Sequence, residues 1–231
     1  MSELAAPVSR SGLVTVLASR SPARLQVLRA AGIDPAVVVS DVDEQAVLDE
    51  HAGNPPNDLV ARLALAKAEA VAARLPWPVR RGVVIGCDSM LLHDGRLTGK
   101  PGTTERARQQ WAELSGSTAE LLTGHAVLRI DDGEVTARSA GTEVTQIRFG
   151  TPTPAEIDAY LATGEPLQVA GSLTIDGFGG WFVTGVNGDP SSVIGISLPL
   201  TRTLLSDVDI EVTDLWRPMG GNSNNLEGTV R

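Results

Sequence analysis

The chain alternates between short apolar runs and longer stretches in which apolar residues recur every three or four positions. Runs rich in valine, isoleucine and leucine predict strands, and the longer spacing predicts helices. The predicted strands lie near 13–18, 36–40, 82–87, 121–129, 134–148 and 180–185. The predicted helices lie near 22–31, 56–75, 104–114, 154–163 and 198–206. This order, with a hairpin turn at Asp131-Asp132-Gly133, favours an α/β fold with a mixed twisted sheet and flanking helices.

Capping residues mark the ends of two predicted helices. Ser21 suits the N-cap of the first helix, Pro22 suits its first position, and Gly32 suits a left-handed residue after its end. Thr153 and Glu156 have the spacing of a capping box at the start of the fourth helix. These boundaries therefore follow from local hydrogen bonding alone.

The two ends of the chain differ from the middle in composition. We expect a flexible N-terminal tail over 1–12 and a C-terminal extension over 207–231 that is flexible at its end. Residues 13–206 are predicted to form a single α/β domain, and a chain of 231 residues with 42% hydrophobic content can bury one substantial core.

Composition also limits the cellular setting. No stretch approaches the roughly 18 apolar residues of a membrane span, and the N-terminus lacks the apolar region of a signal peptide. The single cysteine, Cys87, excludes an internal disulfide and fits a reducing compartment. We therefore expect a cytoplasmic protein without a membrane partner.

The formal net charge of -9 argues against sequence-independent binding to DNA or RNA, which needs a basic face. A nucleotide ligand is not excluded, because a few local cations suffice in a cleft. An acidic protein that binds phosphate usually needs a cation to assist it.

The turn after the first strand combines several groups suited to an anion. Ser19, Arg20, Ser21 and Arg24 surround the predicted start of the first helix, where unpaired backbone N–H groups favour phosphate oxygens. The alternative is a plain Ser-Pro cap with two solvated arginines. This segment alone does not decide between them.

Two groups of carboxylates follow predicted strands. Asp41, Asp43 and Glu44 come after the second strand, where they form either part of a ligand site or a solvated acidic loop. Asp88 interrupts an apolar strand, and a carboxylate there is costly to bury unless it is paired or binds a metal. We therefore favour a functional role for Asp88, and the adjacent Ser89 is small enough to contact a ligand.

Two lysines have less specific surroundings. The predicted buried stripe of the second helix contains Leu59, Leu63, Ala66 and Ala70. Lys67 lies one position from this stripe, where a lysine commonly covers apolar surface with its stem. Lys100 lies in a Gly-Lys-Pro turn that lacks the spacing of a Walker A loop. Taken alone, each is more typical of a surface residue than of a phosphate ligand.

Two further polar features have weaker signals. The Gly-Asp-Pro-Ser turn at 188–191 either cradles a ligand with backbone N–H groups or is only a loop. The histidines have no spacing typical of a metal site or a catalytic triad, and His125, within a predicted strand, is interpreted as structural.

The motifs occur in an order that resembles the Maf family of nucleoside triphosphate pyrophosphatases. They are Ser-x-Ser-Pro-x-Arg, Asp-Glu, "LA..KA" on a helix, "GCDS", "GKP", "ELSG", "TGEP…AG", "IDG" and "NGDPSSVIGISLPL", spread over about 13–206. The resemblance implies a fold similar to inosine triphosphate pyrophosphatases and cleavage of a nucleoside triphosphate into the monophosphate and pyrophosphate. It also implies a divalent cation, Mg²⁺ or Mn²⁺, and a homodimer.

The resemblance also implies roles for individual residues. It assigns the triphosphate to Ser19, Ser21, Arg24, Lys67 and Lys100. Glu44 would help to hold the metal, and Asp88 would accept the proton of the attacking water. The alternative that Asp88 is mainly a metal ligand, with a water or Glu44 as the base, stays open.

Three positions depart from the pattern of one branch of this family, which prefers dTTP and UTP. The chain has Ala23 where arginine is common, Ser89 where threonine is common and Asp176 where glutamine is common. The histidine that usually follows "LSG" is also missing. Ser89 and Asp176 are expected to bind substrate, but these changes alter the hydrogen bonds offered to a base, so dTTP and UTP specificity is not predicted.

Two rival functions remain. One is hydrolysis of modified nucleotides for house-cleaning, which differs in the base pocket alone. The other is a nucleotide-binding regulator of septum formation with little turnover. The presence of Asp88, Glu44 and both lysines favours an enzyme.

Overall fold

The computed structural model describes residues 8–76 and 78–217. The outer parts of the predicted tail and C-terminal extension, 1–7 and 218–231, lie outside the described residues. The strands are β1 (Val14–Ala18), β2 (Ala36–Val37), β3 (Arg81–His93), β4 (Arg96–Thr98), β5 (Thr118–Asp131), β6 (Glu134–Phe149) and β7 (Val183–Asn187). The helices are α1 (Pro22–Ala30), α2 (Glu44–Glu50), α3 (Pro56–Ala72), α4 (Thr104–Leu114), α5 (Pro154–Ala162), α6 (Pro190–Ile194) and α7 (Leu198–Ser206).

The sheet is mixed, as predicted. Its strand order is β2-β1-β3-β5-β6-β7, and β4 pairs with β3 beside this path. β1 is parallel to both neighbours, whereas β5 is antiparallel to β3 and to β6, and β7 is antiparallel to β6. The β5–β6 hairpin turns at Asp132 (φ 51°) and Gly133 (φ 89°), the paired positive φ values that a tight hairpin turn needs.

Helices cover both faces of the sheet. Leu17, Ile85 and Val127 point to one face, where they pack with Leu28 of α1 and Leu205 of α7. The alternate strand residues pack against α3 on the other face. A third apolar cluster, centred on Trp111 of α4, fills the space between the extended ends of the sheet and α5.

Two glycines let α3 approach the sheet closely. A Cβ on Gly86 of β3 would collide with the carbonyl oxygen of Ala64, and one on Gly124 of β5 would collide with the carbonyl oxygen of Val60. These close contacts set the rotation of α3 about its own axis. The buried stripe is Val60, Leu63, Ala64, Lys67, Ala68 and Val71.

The capping predictions are confirmed at both helices. The side-chain oxygen of Ser21 accepts from the backbone N–H of Arg24, and Gly32 adopts φ 88° after α1. The Thr153–Glu156 capping box is present at the start of α5. Local hydrogen bonds therefore form where the sequence predicts them.

The structure differs from the predicted elements in several places, among them the unpredicted strand β4 and strand β2, which ends at Val37 and not at 40. Helices α2 and α6 were not predicted, since both are short and their N-cap residues, Asp43 and Asp189, were interpreted in other ways. β3 continues to His93, well past the predicted end at 87. The last strand begins at Val183, because 178–182 form a 3₁₀ turn.

Packing also continues beyond the predicted end of the domain at 206. Val208, Ile210 and Leu215 are buried in the apolar cluster on the α1–α7 side. At the other end, the backbone N–H of Arg10 donates to the carbonyl oxygen of Trp216. Among the described residues, no helix is both long enough and apolar enough to cross a membrane.

Candidate active site

One cleft of about 690 Å³ brings together every residue that the sequence predicts for the site. Its lining includes Ser19, Ser21, Arg24, Glu44, Lys67, Asp88, Ser89, Lys100 and Asp176. The cleft opens where the parallel strands β1 and β3 stop pairing, the usual position for ligands in an α/β sheet. Residues scattered over more than half of the chain thus meet at one edge.

The turn from β1 into α1 presents its polar groups to this cleft. The Ser19 hydroxyl oxygen accepts from the backbone N–H of Ser21 at 3.1 Å, which tightens the turn. Ser21 then caps α1 through its 3.4 Å bond from the backbone N–H of Arg24. The positive end of the α1 dipole therefore lies at the cleft, where it favours an anion.

The Arg24 guanidinium ties together four separate parts of the site. Its Nε donates to the carbonyl oxygen of Gly195 at 2.9 Å, and one Nη donates to the carbonyl oxygen of Cys87 at 2.6 Å. It also donates to the hydroxyls of Ser19 and Ser89, both at 3.1 Å. Four of its five N–H bonds are thus used within the described residues, so one remains for a ligand. Arg24 therefore orders the cleft as well as adding positive charge.

Lys67 lies within the buried stripe of α3, so its predicted position at the edge of a stripe is wrong. It is 8% exposed, as is Asp88, and the two side chains form an ion pair. The Nζ of Lys67 also lies 2.7 Å from Oε1 of Glu44. A buried lysine needs such partners, because an unpaired charge is expensive to remove from water. Lys67 therefore joins α3 to both candidate carboxylates.

The remaining charges of the site shift one another's pKa values. Burial raises the pKa of Glu44, but the hydrogen bond and charge of Lys67, with smaller effects from Lys100 and Arg24, leave it lowered overall. Partial burial, and then the nearby charges of Arg24 and Lys67, lower the pKa of Lys100. Within the described residues Lys100 forms no salt bridge, so its ammonium is free to meet a ligand.

The three acidic residues after β2 have different roles. Asp43 caps α2, and its side chain accepts from the backbone N–H of Ala46 at 3.1 Å. Asp41 pairs with Arg20 and Arg74, and hydrogen bonds from these arginines lower its pKa. Of the three, Glu44 is the residue that contacts Lys67 in the cleft.

A mostly uncharged part of the cleft lining was not predicted from the sequence. It includes Leu121, Gln168, Val169, Ala170, Leu173, Thr174 and Val193, together with the predicted Asp176. Most of these residues follow the "TGEP" motif, which belongs to the family pattern but does not by itself indicate a wall of the site. Individually they have the appearance of ordinary loop residues.

His125 is structural, as interpreted from the sequence. Its ring is fully buried, with Nδ1 2.9 Å from the carbonyl oxygen of Thr123 and Nε2 accepting from the backbone N–H of Ser197 at 2.8 Å. These partners define the neutral ring with a proton on Nδ1. Burial lowers the pKa of His125 to about 4, and the nearby Arg24 charge adds to the shift. The ring thus joins β5 to the start of α7.

The side chains of the cleft offer a metal ion few ligands. In the parts of the chain that the structure describes, no group of three or more histidine, cysteine, aspartate or glutamate side chains is arranged to hold a metal. Glu44 and Asp88 supply two carboxylates on either side of Lys67. Mg²⁺ commonly uses one or two carboxylates and completes its shell with waters and substrate phosphates. The pair therefore suits a metal that arrives with a phosphorylated substrate.

A mixed α/β sheet with cations, paired carboxylates and a helix N-terminus in one cleft suits a protein that binds a phosphorylated ligand. The family model described as "Maf-like protein" matches residues 15–208. The chain therefore belongs to the family of Maf-like proteins.

Relatives named "Nucleoside triphosphate pyrophosphatase" share most of the chain. The protein from Nocardia farcinica is 59% identical over 206 residues, which cover 87% of this chain and 96% of the relative. The protein from Saccharopolyspora erythraea is 57% identical over 204 residues, which cover 88% of this chain and 97% of the relative. The similarity thus extends over nearly the whole length of these proteins.

Proposed function

We propose that this chain is a nucleoside triphosphate pyrophosphatase, a hydrolase that cleaves between the α- and β-phosphates. The names of its relatives agree with this activity. The observation that supports it most is the contact of Lys67 with both Glu44 and Asp88 in a cleft that also holds the N-terminus of α1. Cations, hydrogen-bond donors and an acceptor for a proton are the groups that this reaction needs.

The phosphate end of the cleft would lie between α1 and the two lysines. Lys100 and Lys67 offer ammonium groups, and Ser19 and Ser21 offer hydroxyls beside the α1 dipole. These groups would neutralise the triphosphate oxygens, whose negative charge otherwise repels an attacking water. Arg24 would contribute its charge and its one remaining N–H.

Asp88 is proposed to act as the general base. The water oxygen forms a bond to phosphorus, a water proton passes to the Asp88 carboxylate, and the bond to the oxygen bridging the α- and β-phosphates breaks. Lys67 holds Asp88 in place and keeps positive charge beside the reacting phosphates. The products are a nucleoside monophosphate and pyrophosphate.

Glu44 and Asp88 are also the side chains that would hold Mg²⁺ or Mn²⁺. A divalent ion bound there would supply additional positive charge to the phosphate oxygens. Lys67, whose Nζ contacts both carboxylates, would limit their mutual repulsion. The identity of the ion stays a prediction.

The test is pyrophosphate release from canonical and modified nucleoside triphosphates with Mg²⁺ or Mn²⁺. We expect wild type to release pyrophosphate and Asp88→Asn to lose about two orders of magnitude in rate, the scale of a lost general base. Asp132→Asn is the matched control, because Asp132 is an exposed hairpin residue whose positive φ asparagine also tolerates. A folded Asp88→Asn variant with unimpaired turnover would contradict the assigned role.

The same panel separates the rival functions. Selective turnover of methylated or deaminated nucleotides supports house-cleaning, and binding without turnover supports a regulator. The base preference, the cytoplasmic location and the homodimer stay predictions.

A further inference from the structure

Residues 173–182 form a segment with two different faces, which we call the wall segment. Leu173, Thr174 and Asp176 line the cleft described above. Phe178 and Trp181 instead line a second, mainly apolar cavity of about 620 Å³ beside α5. The wall segment therefore separates the two cavities, and its conformation determines the shape of the part of the cleft that it lines.

The Glu165 carboxylate binds this segment through three hydrogen bonds. Its Oε1 accepts a hydrogen bond from the Thr174 hydroxyl and another, at 3.1 Å, from the backbone N–H of Gly179. Its Oε2 accepts from the backbone N–H of Phe178 at 3.1 Å. Glu165 is not itself among the residues that line the cleft. One side chain thus satisfies donors at both ends of the turn that carries Asp176.

The backbone is built closely around this carboxylate. A Cβ on Gly177 would come within 2.5 Å of Oε2 of Glu165, and a Cβ on Gly179 would come within 2.6 Å of the Tyr160 hydroxyl. Burial raises the pKa of Glu165, but the hydrogen bonds from Thr174, Gly179 and Phe178 outweigh it and leave the pKa lowered. The carboxylate is therefore ionised at neutral pH, when it accepts hydrogen bonds most strongly.

We propose that Glu165 is a positioning residue for nucleoside recognition, which it serves by holding Thr174 and Asp176 in place against the cleft. This inference rests on the pyrophosphatase activity proposed above. The cations and the α1 N-terminus would bind the triphosphate, which leaves the wall segment, in the same cleft, to contact the nucleoside. Glu165 acts on the nucleoside through the segment and does not touch the phosphates.

The test compares a substrate with a phosphate analogue that has no nucleoside. We expect Glu165→Gln to raise KM for the best nucleoside triphosphate about tenfold or more, the scale of a lost charged hydrogen bond, with kcat changed less than about threefold. The inhibition constant of inorganic tripolyphosphate should stay within about twofold of wild type, because its site is the phosphate end. This difference would not follow from general damage to the fold.

Two further variants keep the result interpretable. Glu165→Asp retains the charge on a shorter stem, so its KM should lie between those of wild type and Glu165→Gln. Glu156→Gln is the control, because Glu156 caps α5 and contacts Thr153 instead of the wall segment. We expect it to lower the melting temperature without changing KM. If Glu165→Gln does not fold, Glu165→Asp alone provides the comparison.

Each outcome has a distinct meaning. An unchanged KM in Glu165→Gln, or an equal loss of affinity for the nucleotide and for tripolyphosphate, would overturn the role of Glu165 and leave the pyrophosphatase intact. Absence of nucleotide turnover in wild type would instead overturn the proposed function, and the role of Glu165 with it.

Discussion

Lys67 on α3 and Asp88 on β3 form an ion pair that is almost fully buried. A buried ion pair usually contributes little net stability, because desolvation of both charges offsets their attraction. Its position beside Glu44, at the edge of the cleft, is consistent with a role in the site.

Removal of the Lys67 charge tests this view. We expect Lys67→Met to destabilise the protein by about 3 kcal/mol, because Asp88 is left buried without its partner. Pyrophosphate release should fall by at least about two orders of magnitude, since the phosphate end also loses a cation. Urea unfolding and the release assay measure the two effects.

The double variant Lys67→Met/Asp88→Asn separates stability from activity. It should recover part of the lost stability, because no unpaired charge remains buried, while activity stays as low as in the single variants. A double variant less stable than Lys67→Met would show that Asp88 does not need its charged partner.

Substitution of Arg24 by lysine should affect both order and activity. An ammonium cannot reproduce the planar set of bonds to Gly195, Cys87, Ser19 and Ser89. We expect Arg24→Lys to lose about 1–3 kcal/mol of stability, the scale of hydrogen bonds to a charged group, and to raise KM. Arg80→Lys serves as the control, because Arg80 is exposed, pairs with Asp132 alone among the described residues and does not line the cleft. Equal effects of the two substitutions on stability and KM would argue against a structural role for the hydrogen bonds of the Arg24 guanidinium.

The contact between α3 and the sheet predicts a strong effect at Gly86. Its Cβ would meet the backbone of α3, which cannot move without shifting Lys67, so Gly86→Ala should cost at least about 1–3 kcal/mol and lower activity. Gly99→Ala meets open space and should stay within about 0.5 kcal/mol of wild type. Chemical denaturation of both variants provides the comparison, and equal stabilities would contradict the close approach.

His125 should make stability depend on pH. Its pKa is about 4 in the folded protein, whereas a histidine in an unfolded chain keeps the ordinary pKa of 6.5. Between these values the unfolded chain takes up a proton that the folded protein does not, so stability is complete above pH 6.5 and falls as the pH decreases towards 4. The loss should approach about 3 kcal/mol at most.

The comparison with His125→Gln isolates this contribution. Other groups titrate in both proteins, so the difference between their unfolding free energies at pH 7 and pH 5 reports on residue 125. We expect a smaller difference between the two pH values in the variant. An identical pH dependence would mean that the ring is protonated in the folded state.

Features that depend on one short segment of the chain could be predicted from the sequence. The cap at Ser21, the left-handed Gly32, the Thr153–Glu156 capping box and the hairpin turn depend on hydrogen bonds and φ values within a few residues. The mixed sheet follows from the order of strands, helices and hairpin. The Maf-like family and its candidate residues were also recognisable, because the motifs occur in a fixed order.

The tertiary structure alone decided how these residues act together. The sequence spacing left Lys67 at the edge of a stripe, because the rotation of α3 is set by Gly86 and Gly124 on strands far along the chain. Burial against those glycines then brings Lys67 to Asp88. Likewise, the different roles of Asp41 and Glu44 depend on which cation contacts each carboxylate in the folded protein. Asp41 pairs with Arg20, and Glu44 pairs with Lys67. Such long-range contacts leave no local pattern, since partners separated in sequence meet through packing.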